Sequence, residues 1–250
     1  MNMQWKHYKT PKLLPCGVAI IAAIIIGQSA NTQDSASSDV LERYGSLNIS
    51  REGPIIDADL AQKMFRRGNT YSNLKRYDDA IEEYRKAISA DPNFSSAIRN
   101  LANTLYFLER YEEAKPLLVR YIQLEKSTNS GLVAAVSTLG ELERQSGNFE
   151  VAIEYDLRAI ELDPGNDSQI HIMANTYNNA GEAEKAIAVY RTGIAAMPEN
   201  AFFYRSLGRI LEQEGRLEEA LIEYELAAQK NPDSGFYAGL VESARRLLEN

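Results

Sequence analysis

One cysteine, two histidines and one tryptophan are spread over 250 residues. That scarcity removes most chemistry before any motif is sought. Cys16 cannot close a disulfide within the chain, and His7 and His171 are too few to build a Cys/His zinc cluster. The sequence also lacks a Gly-rich phosphate loop and any Ser/His/Asp arrangement of nucleophile and base. Basic charge is in deficit, with 27 Lys+Arg against 35 Asp+Glu. The first thirty residues hold three Lys and no acid, which leaves 24 basic against 35 acidic residues, a net of −11, over residues 31–250. A surface this negative repels phosphate backbones and argues against a nucleic-acid partner. The expectation is a protein that is not an enzyme, with no cofactor, no metal and no small-molecule substrate.

Long apolar runs are absent except at the amino terminus. Residues 1–12, MNMQWKHYKTPK, are cationic and lead into fifteen uncharged residues, LLPCGVAIIAAIIIG, and then the small polar stretch QSANTQDSASS. Charged start, apolar middle and small-residue exit mark an export signal. Left uncut, residues 13–30 are just long enough to span a bilayer, with the preceding lysines holding the amino terminus inside. Residues 1–30 therefore fit either a cleaved signal peptide or a transmembrane anchor. Both place the remainder across the inner membrane, soluble in the periplasm or tethered there, with membrane contact through this segment only. Cys16 precedes most of the apolar run and follows Pro15, which is wrong for a lipid-modified cysteine. Residues 31–57, rich in Ser, Asp and Asn, read as a flexible linker, and Asp57 offers an N-cap to the first periodic helix.

From there one phrase recurs five times. Ala80, Ala114, Ala152, Ala186 and Ala220 share a slot, at separations of 34, 38, 34 and 34 residues. Twelve residues before each stands Gly68, Ala102, Gly140, Ala174 or Gly208; twelve after stands Pro92, Pro164, Pro198 or Pro232 in four of the five. Two helices cross closely only where side chains are tiny, so the small residues mark a contact between paired helices. Large apolar residues recur between them at three- and four-residue steps, the stripe of an amphipathic helix. The pattern resembles the tetratricopeptide repeat (TPR) family, whose unit is an antiparallel helix pair of this length. The resemblance covers repeats 61–94, 95–128, 133–166, 167–200 and 201–234, followed by a capping helix at 235–250. It implies an all-α fold: a right-handed superhelix of five helix-turn-helix repeats, within one domain spanning 58–250.

Several departures stand out. Arg67 occupies a position where Leu is usual. The second repeat has Lys126 for its proline, bulky Tyr121 where the others have Ala or Gly, and four extra residues behind it. Four residues are close to one helical turn, so its second helix is expected to run longer, and Pro116 to bend that helix near its start. In the third repeat Glu143 and Asp156 replace aromatic or Leu residues on facing helices. The expectation there is a looser interface, with both acids reaching solvent or an Arg such as Arg144 or Arg158, rather than an acid–base pair.

In the family the first helix of each pair lines a concave groove that takes extended peptides or a partner helix. Carried over, that surface holds Arg66, Asn69, Arg99, Asn100, Asn103, Tyr106, Asn175, Asn179, Arg205 and Arg209 as candidate peptide-binding residues, with Phe65, Asn73, Thr138, Glu141, Arg144, His171, Asn178 and Glu212 beside them. Asn69, Asn103 and Asn175 share one slot, and a carboxamide both donates and accepts, as pairing with a peptide backbone requires. Arg99 and Asn103 resemble half of the family's carboxylate clamp, but Thr138 and Ser168 stand where its other Asn and Lys belong. The arginines still favour an acidic or carboxylate-bearing segment. The reading is a scaffold or adaptor that binds a protein or peptide partner in this groove, within an envelope assembly complex. The alternative is a structural subunit packing through its convex face.

Overall fold

The structure, a computed structural model, describes residues 56–249. The segment expected to be a signal or anchor, Cys16, and the expected linker up to residue 55 lie outside the described residues. All regular structure described is helical: α1 (Ala58–Asn73), α2 (Tyr77–Ala90), α3 (Ser95–Phe107), α4 (Tyr111–Leu124), α5 (Ser130–Gln145), α6 (Phe149–Leu162), α7 (Asp167–Asn179), α8 (Ala183–Ala196), α9 (Ala201–Gln213), α10 (Leu217–Lys230) and α11 (Gly235–Leu248). None of these helices is long and apolar enough to cross a membrane. They fall into two compact units, one ending at Asp163 with α1–α6 and one beginning at Pro164 with α7–α11. Within each unit, every helix packs against the next in sequence.

Each hairpin is held by the small-residue slot. Ala80, Ala114, Ala152, Ala186 and Ala220 are completely buried. The residue that presses on the facing glycine, however, lies four positions after the alanine. A Cβ on Gly68 would come within 2.5 Å of the Tyr84 ring, and one on Gly208 within 2.7 Å of the Tyr224 ring. Glycine is needed there because an aromatic ring from the second helix crosses over the first. Around this contact the first unit's core gathers Ile98, Leu118, Val136, Leu139 and Leu142, with Tyr84, Leu101 and Leu105 in a neighbouring cluster. In the other unit Ile170, Met173, Phe203, Leu207 and Ile210 are buried.

The turn inside each hairpin is uniform. The first helix stops at the thirteenth position of every repeat, and two residues later the chain enters the left-handed region. That position is Lys75 (φ 58°), Glu109 (60°), Gly147 (77°), Gly181 (79°) and Gly215 (74°). The next N–H then reaches back five residues, as in Arg76 to the Tyr71 carbonyl at 2.9 Å and Arg216 to that of Leu211 at 2.8 Å. This closes the last helical turn and reverses the chain. Three repeats use the residue without a Cβ penalty; Lys75 and Glu109 carry that penalty.

The insertion after the second repeat is not spent as expected. α4 has the same 14 residues as the other second helices, and it passes through Pro116 unbroken. The extra residues instead lengthen the following connection and start α5 early, at Ser130. Tyr121 gives a physical reason. It is buried where the other repeats carry Ala or Gly, and its hydroxyl lies where a Cβ on Gly131 would be only 2.7 Å away. A ring of that size displaces the start of the next helix, and Asn129 caps it there by accepting from the Leu132 N–H at 3.0 Å.

At the carboxy end α11 buries Val241 and Ala244, while Leu247 and Leu248 are exposed. Glu242, Arg245, Arg246 and Glu249 face solvent. Arg67, on the surface of α1, lies 3.3 Å from the buried Glu83 carboxylate of α2.

Replacing Lys75 or Glu109 by Gly removes the left-handed strain, partly offset by the larger unfolded-state entropy of glycine. Each substitution is expected to stabilise the protein by about 0.5–1 kcal/mol. Gly181→Ala should destabilise by a similar amount. Urea-unfolding midpoints, followed by helical circular dichroism, read all three.

Candidate functional site

The side chain four positions after each buried alanine decides what the first helix presents. Its stem fills the interhelical contact and, where it is polar, its tip meets a side chain of the first helix. Tyr84 donates from its hydroxyl to Asn69 Oδ1 at 2.8 Å. Asp156 receives Arg144 at 2.8 and 2.9 Å. Tyr190 meets His171 Nδ1, and Tyr224 donates to Glu212 Oε2 at 2.6 Å. In the second repeat the same position is Leu118, which has no polar tip. The amide of Asn103 is therefore left without a hydrogen bond among the described residues.

These differences build a cleft of about 570 Å³ between α1 and α3. Asn69, Asn73, Asn100 and Asn103 supply its amides, with Ser72 and Thr104 between them. Tyr84 forms the floor, and Tyr77 and Phe107 stand at the rim, ring centroids 5.1 Å apart. Asn69 Oδ1 accepts twice, from Tyr84 and from Asn100 Nδ2 at 2.9 Å. That fixes the amide and leaves its NH₂ group to the cleft. Asn73 and Asn103 are exposed and engage no side-chain partner among the described residues. Burial raises the Tyr84 phenol above its usual pKa, so it remains a neutral donor.

Of the residues expected at the binding surface, the cleft brings together Asn69, Asn100 and Asn103. Arg66 is exposed on α1 outside it. Arg99 lies over the Tyr121 ring at 5.9 Å, and Tyr106 packs against Tyr111 at 5.5 Å, so Tyr106 belongs to the core. Sequence reasoning missed Tyr77, Tyr84 and Phe107. Phe107 sits one turn beyond Asn103, a spacing that was visible; the tyrosines come from the second helix, which the groove pattern does not sample.

The unit beginning at Pro164 contains a different surface. Arg209 donates to Asn175 Oδ1 at 3.3 Å, so Asn175 turns its NH₂ toward His171 Nε2, 2.8 Å away. With Nε2 accepting, the proton sits on Nδ1 and is donated to the Tyr190 oxygen. Burial first, then Arg205 and Arg209, hold the His171 pKa down to about 4, and burial pushes the Tyr190 phenol up to about 12. The imidazole is neutral, wedged edge-on against Phe202 at 4.5 Å. Arg205 lies over the Phe202 ring, 4.4 Å from its centroid. Asn179 is exposed. Arg205 and Arg209 have no acidic partner among the described residues, so this surface is cationic where the α1–α3 cleft is neutral.

Of the two carboxylates of the third repeat, Asp156 reaches Arg144, as expected, whereas Glu143 does not meet an arginine. Neither reaches solvent, and their interface is tight: a Cβ on Gly140 would stand 3.0 Å from Asp156 Oδ1. Asp156 is gripped in bidentate fashion by Arg144. Glu143 pairs with Lys115 of the preceding repeat at 3.4 Å, not with an arginine, and accepts from Asn148 at 2.7 Å. Both acids are neutralised structural groups. Among the described residues no three His, Cys, Asp or Glu side chains stand close enough to hold a metal ion.

The tetratricopeptide repeat family matches residues 61–94, and again 99–167 and 173–235, more than half of the chain. The protein belongs to this family, and its all-α fold is that of tetratricopeptide superhelices. It is thereby a scaffold of the protein–protein interaction type. No curated protein matches the chain. Among solved structures it is similar to MamA, with 24% identity and a TM-score of 0.61, covering 72% of this chain and 97% of that one. YrrB, described as a TPR protein with an unusual peptide-binding site, is 19% identical with a TM-score of 0.57, over 84% of this chain and 98% of its own. PilF of Pseudomonas aeruginosa is 16% identical with a TM-score of 0.52, over 76% and 85%. Likeness at these identities concerns the fold.

Two outcomes test the buried chemistry. Arg144→Met strands the Asp156 carboxylate in the interior and should destabilise by about 3–5 kcal/mol. Adding Asp156→Leu, which copies Leu118, should recover most of that loss in chemical denaturation. For His171 the folded pKa lies below the unfolded value near 6.5. The unfolded chain therefore binds the extra proton as pH falls from 6.5 toward 4, and stability drops across that window while being complete above it. The difference in stability between the wild type and His171→Gln should accordingly change between those limits, by on the order of 2 kcal/mol, and be flat above them.

Proposed function

We propose that the protein is an exported scaffold, soluble in the periplasm or tethered by its amino-terminal segment, that binds an extended peptide or protein segment along the first helices of its repeats. Its place is within an envelope assembly complex. The observation that carries this reading is the α1–α3 cleft, where Asn73, Asn103 and the NH₂ of Asn69 stand at one opening without a side-chain partner among the described residues. Unpaired amides side by side offer the donors and acceptors that a peptide main chain demands, whatever its side chains. Support for the class of partner comes from the family. Support for export comes from the charged, apolar and small-residue order of residues 1–30. The acidic balance argues against nucleic acid, and the cleft's open, amide-lined form suits a chain passing through better than an enclosed small molecule.

Proximity labelling from the carboxy terminus in the native host, with periplasmic and membrane fractions read separately, tests both halves. The expected result is a set of envelope proteins whose labelling falls about tenfold in the Asn73→Ala, Asn103→Ala double variant. An unchanged set would remove the cleft from the function. Crosslinks confined to residues 78–90 and 235–249 would favour assembly through the second helices and the last helix instead.

A further inference from the structure

A quarter of this chain's residues are charged, yet among the described residues no charged side chain lines the α1–α3 cleft. Elsewhere the corresponding outer positions of the first helices hold Glu141, Arg144, Arg209 and Glu212. The rim carries a second departure. The thirteenth position is an amide in four repeats (Asn73, Gln145, Asn179 and Gln213) and is Phe107 in the second. Phe107 is 65% exposed, and among the described residues the one ring it meets is that of Tyr77, in a tilted contact. Packing does not require an aromatic there, since four repeats reach the same turn without one.

Resting on the groove reading above, we infer that this cleft selects an uncharged extended stretch of polypeptide, with one large apolar or aromatic side chain seated on Phe107 and Tyr77. The partner's main chain pairs with Asn73, Asn103 and the NH₂ of Asn69. Three features converge on this. The unpaired amides supply donors and acceptors without net charge. A charged side chain entering the cleft would shed water and find no counter-charge to replace it. The exposed ring lies beside the amides, so an apolar anchor is covered in the same event. The arginine surface around Arg205 favours an acidic segment; the α1–α3 cleft opposes one.

The test screens the full chain against a random library of short peptides, acetylated and amidated so that their termini carry no charge. Enriched peptides should hold a Phe, Tyr, Trp, Leu, Ile or Met within an uncharged run. Phe107→Ala should weaken them about tenfold or more and erase the preference for that side chain. Asn73→Ala with Asn103→Ala should weaken all enriched peptides alike and leave the preference intact; Arg205→Ala should do neither. Enrichment of acidic or basic peptides, persistence of the aromatic preference in Phe107→Ala, or binding of neutral oligosaccharides in place of peptides would each overturn the inference. Acidic peptides that depend on Arg205 and Arg209 would sink it while leaving the groove reading standing. No enrichment at all, together with partner labelling indifferent to Asn73 and Asn103, would sink both.

Discussion

The structure turns on the crossing of two helices at a pair of small residues and on the one side chain that passes through that crossing. The five alanines are sealed completely, and whatever stands four positions later must share the remaining space. A tyrosine fits over glycine at Gly68 and Gly208, and its hydroxyl then reaches a side chain of the first helix, Asn69 or Glu212. Packing and surface chemistry are thus settled by a single residue. The stem contributes buried apolar area, and the tip sets which first-helix groups are occupied and which remain open to a partner.

This linkage accounts for the division between the two surfaces. With Tyr84 in place, Asn69 is oriented and half used; with Leu118, Asn103 is untouched. The outcome is a neutral opening lined by amides and bordered by aromatic rings. In the other unit Tyr190 draws His171 inward, Arg209 orients Asn175, and the two arginines dominate the field. One repeat architecture therefore displays two chemistries without altering its backbone, as expected of a scaffold whose function resides in its surface.

Irregularities in the repeats follow the same logic of volume and charge. Tyr121 is too large for a slot meant for Ala, and the chain answers with a longer connection and Gly131. Asp156 replaces a ring with a carboxylate, and Arg144 follows it into the interior to balance the charge. Glu143 has Lys115 and Asn148 for the same purpose. Buried ion pairs of this kind contribute little net stability against an apolar alternative, but each is intolerant of losing one partner.

The helices, their order and the hairpin register were legible in the sequence, because small residues at a fixed spacing and apolar residues at helical steps leave few ways to bury the stripe. That Asn69, Asn100 and Asn103 meet was legible in part, since all three lie on first helices. The roles of Arg66, Arg99 and Tyr106 were not: slot equivalence says which face a residue is near, not whether it is stacked on Tyr121, packed on Tyr111 or left in water. The destination of four inserted residues was likewise invisible, for it depended on how much room Tyr121 took. Sequence determined by itself that this chain is a helical repeat protein poor in catalytic groups, because periodicity and composition are properties of the chain. Only tertiary structure decided which amides stay unpaired. That choice is made across the hairpin by a side chain from the opposite helix, at a distance no local pattern records.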